Sequence, residues 1–264
     1  MILFLIAAQS AVLGPAVPGP ALTGPALTGP ATSLQARYEH CLDTITEDAN
    51  KAIDEASAWR IGGGNFLARQ CLGMAYAKIG RWTLAANEFG EAALAAEIAK
   101  DARAANYWAQ SGNAWLAAGD PAKARSAIDA ALASGTLDGL SLGETRLDRA
   151  RVMVASGDLE SARIDLDRAL LLAKDDPLAW LLSATLARKM DDLRRAKADI
   201  AEALRRSADD AAVQLEAGNI AALAGEEEFA KAAWREAVRT APAAPEGLAA
   251  TKALQQFDEA PAKP

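Results

Sequence analysis

The sequence predicts an all-α protein built as a stack of antiparallel helical hairpins. Three observations point there. Apolar residues make up 51% of the 264 residues and aromatics only 5%. Alanine supplies much of that apolar share; it is the best helix former, and its small side chain lets helices pack closely. Small residues recur in one frame, with marker alanines at Ala85, Ala124, Ala162, Ala196 and Ala230. Turn signals fall between them in register, as at Gly119-Asp120-Pro121 and Gly157-Asp158. There a glycine stops one helix, an aspartate caps the next, and at Pro121 a proline opens it. The net charge of −7 favours solubility and argues against a nucleic-acid binder, which would show a basic face.

Met1 to Ala8 is apolar and too short to span a bilayer. It fits the core of a secretory signal peptide over residues 1–10, with a cleavage site at Ala8-Gln9-Ser10. One feature departs from that pattern: no Lys or Arg precedes the run, and the first charge is Arg37. The expected location is therefore the periplasm, with an uncleaved tail on a cytosolic protein as the alternative. Residues 11–33 repeat Gly-Pro-Ala-Leu-Thr from Gly19 and Gly24 and, degenerately, from Gly29. Proline lacks an amide donor and turns its predecessor away from helix, so this segment reads as a disordered linker.

Residues 34–60 read as a degenerate hairpin, with one helix near Leu34–Thr46 and a second carrying Ile53, Ala56 and Trp59. The clearest unit follows at Phe66. It has Leu72-Gly73 and Tyr76, a turn at Gly80, then Ala85, Phe89 and Ala92. Gly73 and Ala85 are small where two helices cross, and Tyr76 and Phe89 fill the space beside them. The same skeleton returns as Trp108, Gly112, Trp115, Ala124, Ile128 and Ala131. It returns again as Ala150, Met153, Ala162, Leu166 and Ala169. Trp180, Ala184, Ala187, Ala196, Ile200 and Ala203 mark the fourth unit. Gly218, Ala221, Ala230, Trp234 and Ala237 mark the fifth. Steps between marker alanines are 39, 38, 34 and 34 residues, which predicts longer second helices or loops early in the array. Arg149 and Ser183 depart from the pattern, standing where the first unit has Leu72. Ser141-x-x-Glu144 reads as a capping box, and Glu226, Glu227 and Glu228 as a helix first turn. Residues 245–258 read as a capping helix whose Leu248, Leu254 and Phe257 cover the last hairpin, and 259–264 as a disordered tail.

The spacing Leu-Gly-x2-Tyr, then Ala-x3-Phe-x2-Ala, resembles the tetratricopeptide-repeat family. The resemblance spans 66–244 as five units: 66–99, 105–138, 143–176, 177–210 and 211–244. It implies a right-handed solenoid, a superhelix whose first helices line a concave groove. In that family the groove commonly receives a protein or peptide segment. The implied groove residues include Gln70, Met74, Lys78, Asn106, Asn113, Arg151, Arg188, Lys189 and Asn219. Asn113 and Asn219 hold equivalent positions where family members clamp an extended peptide. Lys78, Arg151, Arg188 and Lys189 add local positive charge, so the expected partner is acidic or carboxylate-ended. The full carboxylate-clamp set of Lys and Asn is not in place. The same frame sets Cys41 and Cys71 on the first helices of neighbouring hairpins. They are a disulfide candidate in an oxidising compartment, or else two buried thiols.

Nothing in the sequence marks catalysis or a cofactor. His40 is the sole histidine, and adjacent helical residues such as His40 and Cys41 point in different directions. Two cysteines and one histidine do not make a normal zinc set, so no metal is expected. Gly62-Gly63-Gly64 lacks the following Lys-Ser/Thr of a phosphate loop. The expected function is a non-catalytic interaction scaffold or adaptor. The alternative is an envelope assembly factor tethered to the membrane through the N-terminal segment.

Overall fold

The computed structural model describes residues 30–259, and the elements it contains are α-helices. The expected signal peptide, the linker as far as residue 29 and the end of the tail lie outside these residues. The described part divides into two compact units that meet in sequence at Leu137 and Asp138.

The first unit holds α1 (Pro30–Glu47), α2 (Ala49–Ile61), α3 (Asn65–Lys78), α4 (Trp82–Ile98), α5 (Ala104–Ala117) and α6 (Pro121–Ala133). α1 starts inside the segment expected to be linker. Cys41, Trp59, Phe66, Leu67, Cys71, Leu72 and Tyr107 form the core that joins α1 and α2 to the next hairpins. Leu34, Tyr38, Ile45 and Ile53 pack against it. Gly62, Gly63 and Gly64 close α2 by donating their amides to the carbonyls of Ala58, Arg60 and Trp59. Those amides are thus engaged in ending a helix and do not form an anion cradle.

The second unit holds α7 (Gly139–Ala155), α8 (Leu159–Leu172), α9 (Pro177–Lys189), α10 (Leu193–Arg206), α11 (Ala211–Leu223), α12 (Glu227–Thr240) and α13 (Pro245–Glu259). In both units the hairpins repeat one packing scheme. The marker alanines Ala85, Ala124, Ala162, Ala196 and Ala230 are fully buried, as are Ala92, Ala131, Ala169, Ala203 and Ala237. Between them sit Phe89, Ile128, Leu166, Ile200 and Trp234, also buried. A Cβ on Gly73 would stand 2.7 Å from the Phe89 ring, and one on Gly218 2.4 Å from Trp234. At these two crossings the helices approach more closely than a Cβ allows without a shift of the facing ring.

The turns inside the hairpins share one geometry. Gly80, Gly119, Gly157 and Gly225 take left-handed backbone angles, and Asp191 does so in the fourth hairpin with φ of 60°. After each, an amide closes onto a carbonyl five residues back, from Arg81 to Tyr76 through Glu226 to Ala221. This is the Schellman arrangement that satisfies the last carbonyls of a helix. Asp120, Asp158 and Asp192 then accept backbone amides of the following helix.

The extra residues early in the array lie in the second helix α4 and in the loop of residues 134–138, as expected, and also in α7, a first helix. Two expectations change. The capping box at Ser141 is not formed, because α7 starts earlier, at Gly139. Ser141 Oγ donates to the carbonyl of Asp138 at 2.9 Å from within the first turn. Leu248 does not cover the last hairpin and is 59% exposed. A Cβ on Gly247 would clash with the Ala241 backbone, so α13 turns its Gly247–Ala250–Leu254–Phe257 side inward and Leu248 outward.

The two departures from the repeat pattern are explained by buried polar pairs. Arg149 Nε and Nη2 donate to Asp165 at 2.7 and 2.8 Å, and Arg146 reaches the same carboxylate at 3.3 Å. Asp165 is 1% exposed. One hairpin later Ser183 donates to buried Asp199, which also receives Arg195 Nε at 3.3 Å. At Arg149 and Ser183 the polar residue on the first helix meets a carboxylate on the second.

Candidate functional site

Each first helix buries one side against its hairpin and leaves another uncovered. Helical spacing places the uncovered residues three or four apart. On α9 they are Leu178, Leu181, Thr185, Arg188 and Lys189; on α11 they are Ala212, Leu215, Asn219 and Leu223. Arg188, Lys189 and Asn219 among them are residues that the family resemblance assigns to the groove. The two units are described in turn.

In the first unit, Lys78 and Asn106 are exposed, and Asn113 is half-buried. The Gln70 and Gln110 amides meet at 3.5 Å, joining α3 to α5. Met74 packs beside Ala77, Ala85, Ala86, Phe89 and Ala114 and works mainly as filling. Leu67, one turn before Gln70 on α3, is buried in the core that α1 completes.

In the second unit most of the expected polar residues are already engaged. Arg188 grips Glu216 through two bonds, Nε at 2.6 Å and Nη2 at 3.1 Å. Arg151 lies 3.3 Å from Asp148. The Asn219 carbonyl accepts from Trp234 Nε1 at 3.1 Å, and its amide lies 3.4 Å from Glu216. It anchors the Trp234 ring, which leaves its carbonyl committed within the hairpin. Lys189 remains exposed. The basic stripe expected from sequence is thus half neutralised by Glu216 and Asp148.

Sequence reasoning missed those two carboxylates. Usable signals were two spacings: Asp148 stands three residues before Arg151 on α7, and 28 residues separate both Arg188–Glu216 on successive first helices and Asp167–Arg195 on successive second helices. It also missed what surrounds Glu144. Burial, then the like charges of Asp148 and Asp176, push the Glu144 carboxyl above its ordinary range.

Cys41 and Cys71 are paired, with Cα atoms 6.2 Å apart, inside the core between α1 and α3. His40 Nε2 faces Glu55 at 3.2 Å on the surface, on a different side of α1 from buried Cys41. Among the described residues no group of His, Cys, Asp and Glu is arranged to hold a metal ion. Nor is any helix among them long and apolar enough to cross a membrane. The clefts at Gly80–Leu84 and at Arg149–Arg168 are open, unlike the enclosed apolar pockets that take small molecules.

No family model matches the sequence, and no curated protein matches it. Solved structures do share the fold. PilW, described as a widely conserved type IV pilus biogenesis factor, aligns over 82% of this chain and 97% of its own, with TM-score 0.68 and 19% identity. A tetratricopeptide repeat protein from Parabacteroides merdae aligns over 86% of this chain and 91% of its own, with TM-score 0.63 and 15% identity. YrrB, described as a TPR protein with an unusual peptide-binding site, aligns over 74% and 96%, with TM-score 0.51 and 19% identity. The chain has the all-α tetratricopeptide-repeat fold.

Proposed function

We propose that the chain is an interaction scaffold that holds a segment of another protein against the uncovered faces of its first helices. The observation behind this is the asymmetry of α9 and α11. Their hairpin sides are closed by alanine packing, while Leu178 and Leu223 stand 47% and 63% exposed on the other side. Apolar side chains left uncovered on one face of a repeat are the usual material of a docking surface. YrrB, which shares the fold, is described as having a peptide-binding site. Function does not follow from the fold, so the site must supply it.

In the second unit the acidic or carboxylate-ended partner expected from the sequence would rest on Lys189, since Arg151 and Arg188 are paired internally. Export to the periplasm remains part of the proposal and depends on the N-terminal segment. A role in envelope assembly is the second reading. It is favoured by the fold shared with PilW, and fractionation separates it: a chain found wholly in the soluble periplasmic pool contradicts a tether.

Affinity capture from native cells tests the main proposal. Leu178→Asp with Leu215→Asp should remove the captured partner, while Glu160→Gln with Glu228→Gln on second helices should not. Capture that survives the first pair of changes contradicts it.

A further inference from the structure

The uncovered face of α7, α9 and α11 is apolar in its floor and acidic along one edge. Leu178, Leu181 and Leu215 form the floor, with Leu181 and Leu215 half-buried against the cores beneath them. The edge is made where these helices begin. Asp175 and Asp176 precede α9, and Asp209 and Asp210 precede α11. Glu144 stands on the first turns of α7, close enough to Asp176 to feel its charge. Asp176 and Asp210 cap their helices, accepting the amides of Leu178, Ala212 and Val213. Glu144, Asp175 and Asp209 have no such role, and none of the three joins an ion pair among the described residues.

Nearby cations offset this edge only in part. Arg206 bonds Glu202 at 2.6 Å and lies over the Trp180 ring, and Arg205 also pairs with Glu202. Arg188 and Arg151 are held by Glu216 and Asp148. Lys174 is the exposed cation beside Asp175, and Lys189 stands at the opposite end of α9. The uncompensated charge next to the leucines is therefore negative.

We propose that this face selects a protein segment that is both apolar and cationic, with leucine-like side chains on the α9–α11 floor and Lys or Arg on Glu144, Asp175 and Asp209. This rests on the scaffold function proposed above and reverses the charge of partner expected from sequence. Complementary charge sets which partner docks and in which direction more than it sets raw affinity. A half-buried carboxylate beside like charges gains most when a cation arrives.

The test uses the full chain and three labelled synthetic peptides of equal length: leucine/lysine, leucine/glutamate and glycine/lysine. Binding is read by fluorescence anisotropy. The leucine/lysine peptide should bind at least about tenfold tighter than either of the others. The triple change Glu144→Gln, Asp175→Asn and Asp209→Asn should remove most of that preference. None of the three is a helix cap, so far-UV circular dichroism should show the fold intact. Glu160→Gln with Glu228→Gln removes two charges from second helices and should leave binding unchanged. The inference is overturned if the leucine/glutamate peptide binds equally well, if the triple change has no effect, or if the second-helix pair weakens binding as much. Failure of this selectivity, with capture still lost in Leu178→Asp/Leu215→Asp, leaves the scaffold function standing. Capture indifferent to those leucines overturns the scaffold function as well.

Discussion

Asp191 occupies the left-handed turn position that glycine holds in the other four hairpins. A side chain there crowds its own backbone, and glycine does not. Asp191→Gly should stabilise the chain by about 0.5–1 kcal/mol, offset in part by the looser unfolded chain. A lowered urea midpoint would contradict this. Gly218 faces the opposite constraint. Alanine is the better helix former, yet its Cβ would sit 2.4 Å from Trp234. Gly218→Ala should cost about 1–3 kcal/mol through overpacking, and a raised midpoint would contradict the close crossing. Glu144 gives a pH signature. Its carboxyl is raised in the fold by burial and by Asp148 and Asp176, so the folded chain holds the proton more tightly than the unfolded one. Its contribution favours folding at low pH and is lost as pH rises from the ordinary carboxylate range through the raised value. Glu144→Gln should therefore be neutral or stabilising at pH 7, with its benefit shrinking as pH falls. A clear loss of stability at pH 7 would show that the carboxylate is structural.

At the scale of the element, the pair joining α7 to α8 carries the largest predicted penalty. Asp165 is buried and held by Arg149 and Arg146. Arg149→Leu strands part of that charge and should cost about 3–5 kcal/mol, while Arg149→Leu with Asp165→Leu should recover most of it. Equal losses in the single and double variants would show that the pair is not what shapes this hairpin. The disulfide between α1 and α3 closes a separation of 30 residues. Its reduction should cost about 2–4 kcal/mol and speed amide exchange in α1 first. No shift of the denaturation midpoint on reduction would argue for two thiols. The sequence made the hairpins legible because small residues must stand where helices cross, and that demand recurs in every unit. It did not expose the Arg149–Asp165 exchange, since a lone arginine in a leucine position is explained only by a carboxylate on another helix. The start of α7 was obscured for a local reason: Asp138-Gly139 begins the helix before the more conspicuous Ser141.

At the scale of the whole chain, the order of hairpins and the positions of their uncovered faces were readable, and the chemistry of those faces was less so. The family resemblance assigned Arg188 to the groove, and in the structure it lies half-buried on α9. Whether Arg188 is available to a partner depends on Glu216 one hairpin away, and spacing within a helix does not report that. The same limit turned an expected basic stripe in residues 138–259 into a half-neutralised one beside an acidic edge. Asn219 likewise looked like a peptide clamp until Trp234 was found on its carbonyl.

The central claim is that partners dock on first helices. Site-specific photo-crosslinking of the full chain in its native cell tests it most directly, with the reactive side chain placed in turn at Leu178, Leu215, Ala198 and Ala232. Leu178 and Leu215 lie on the uncovered faces of α9 and α11, whereas Ala198 and Ala232 are exposed on α10 and α12. The account predicts one shared adduct from Leu178 and Leu215 and none from the two alanines. The same adduct from Ala198 and Ala232, with Leu178 and Leu215 silent, would contradict it.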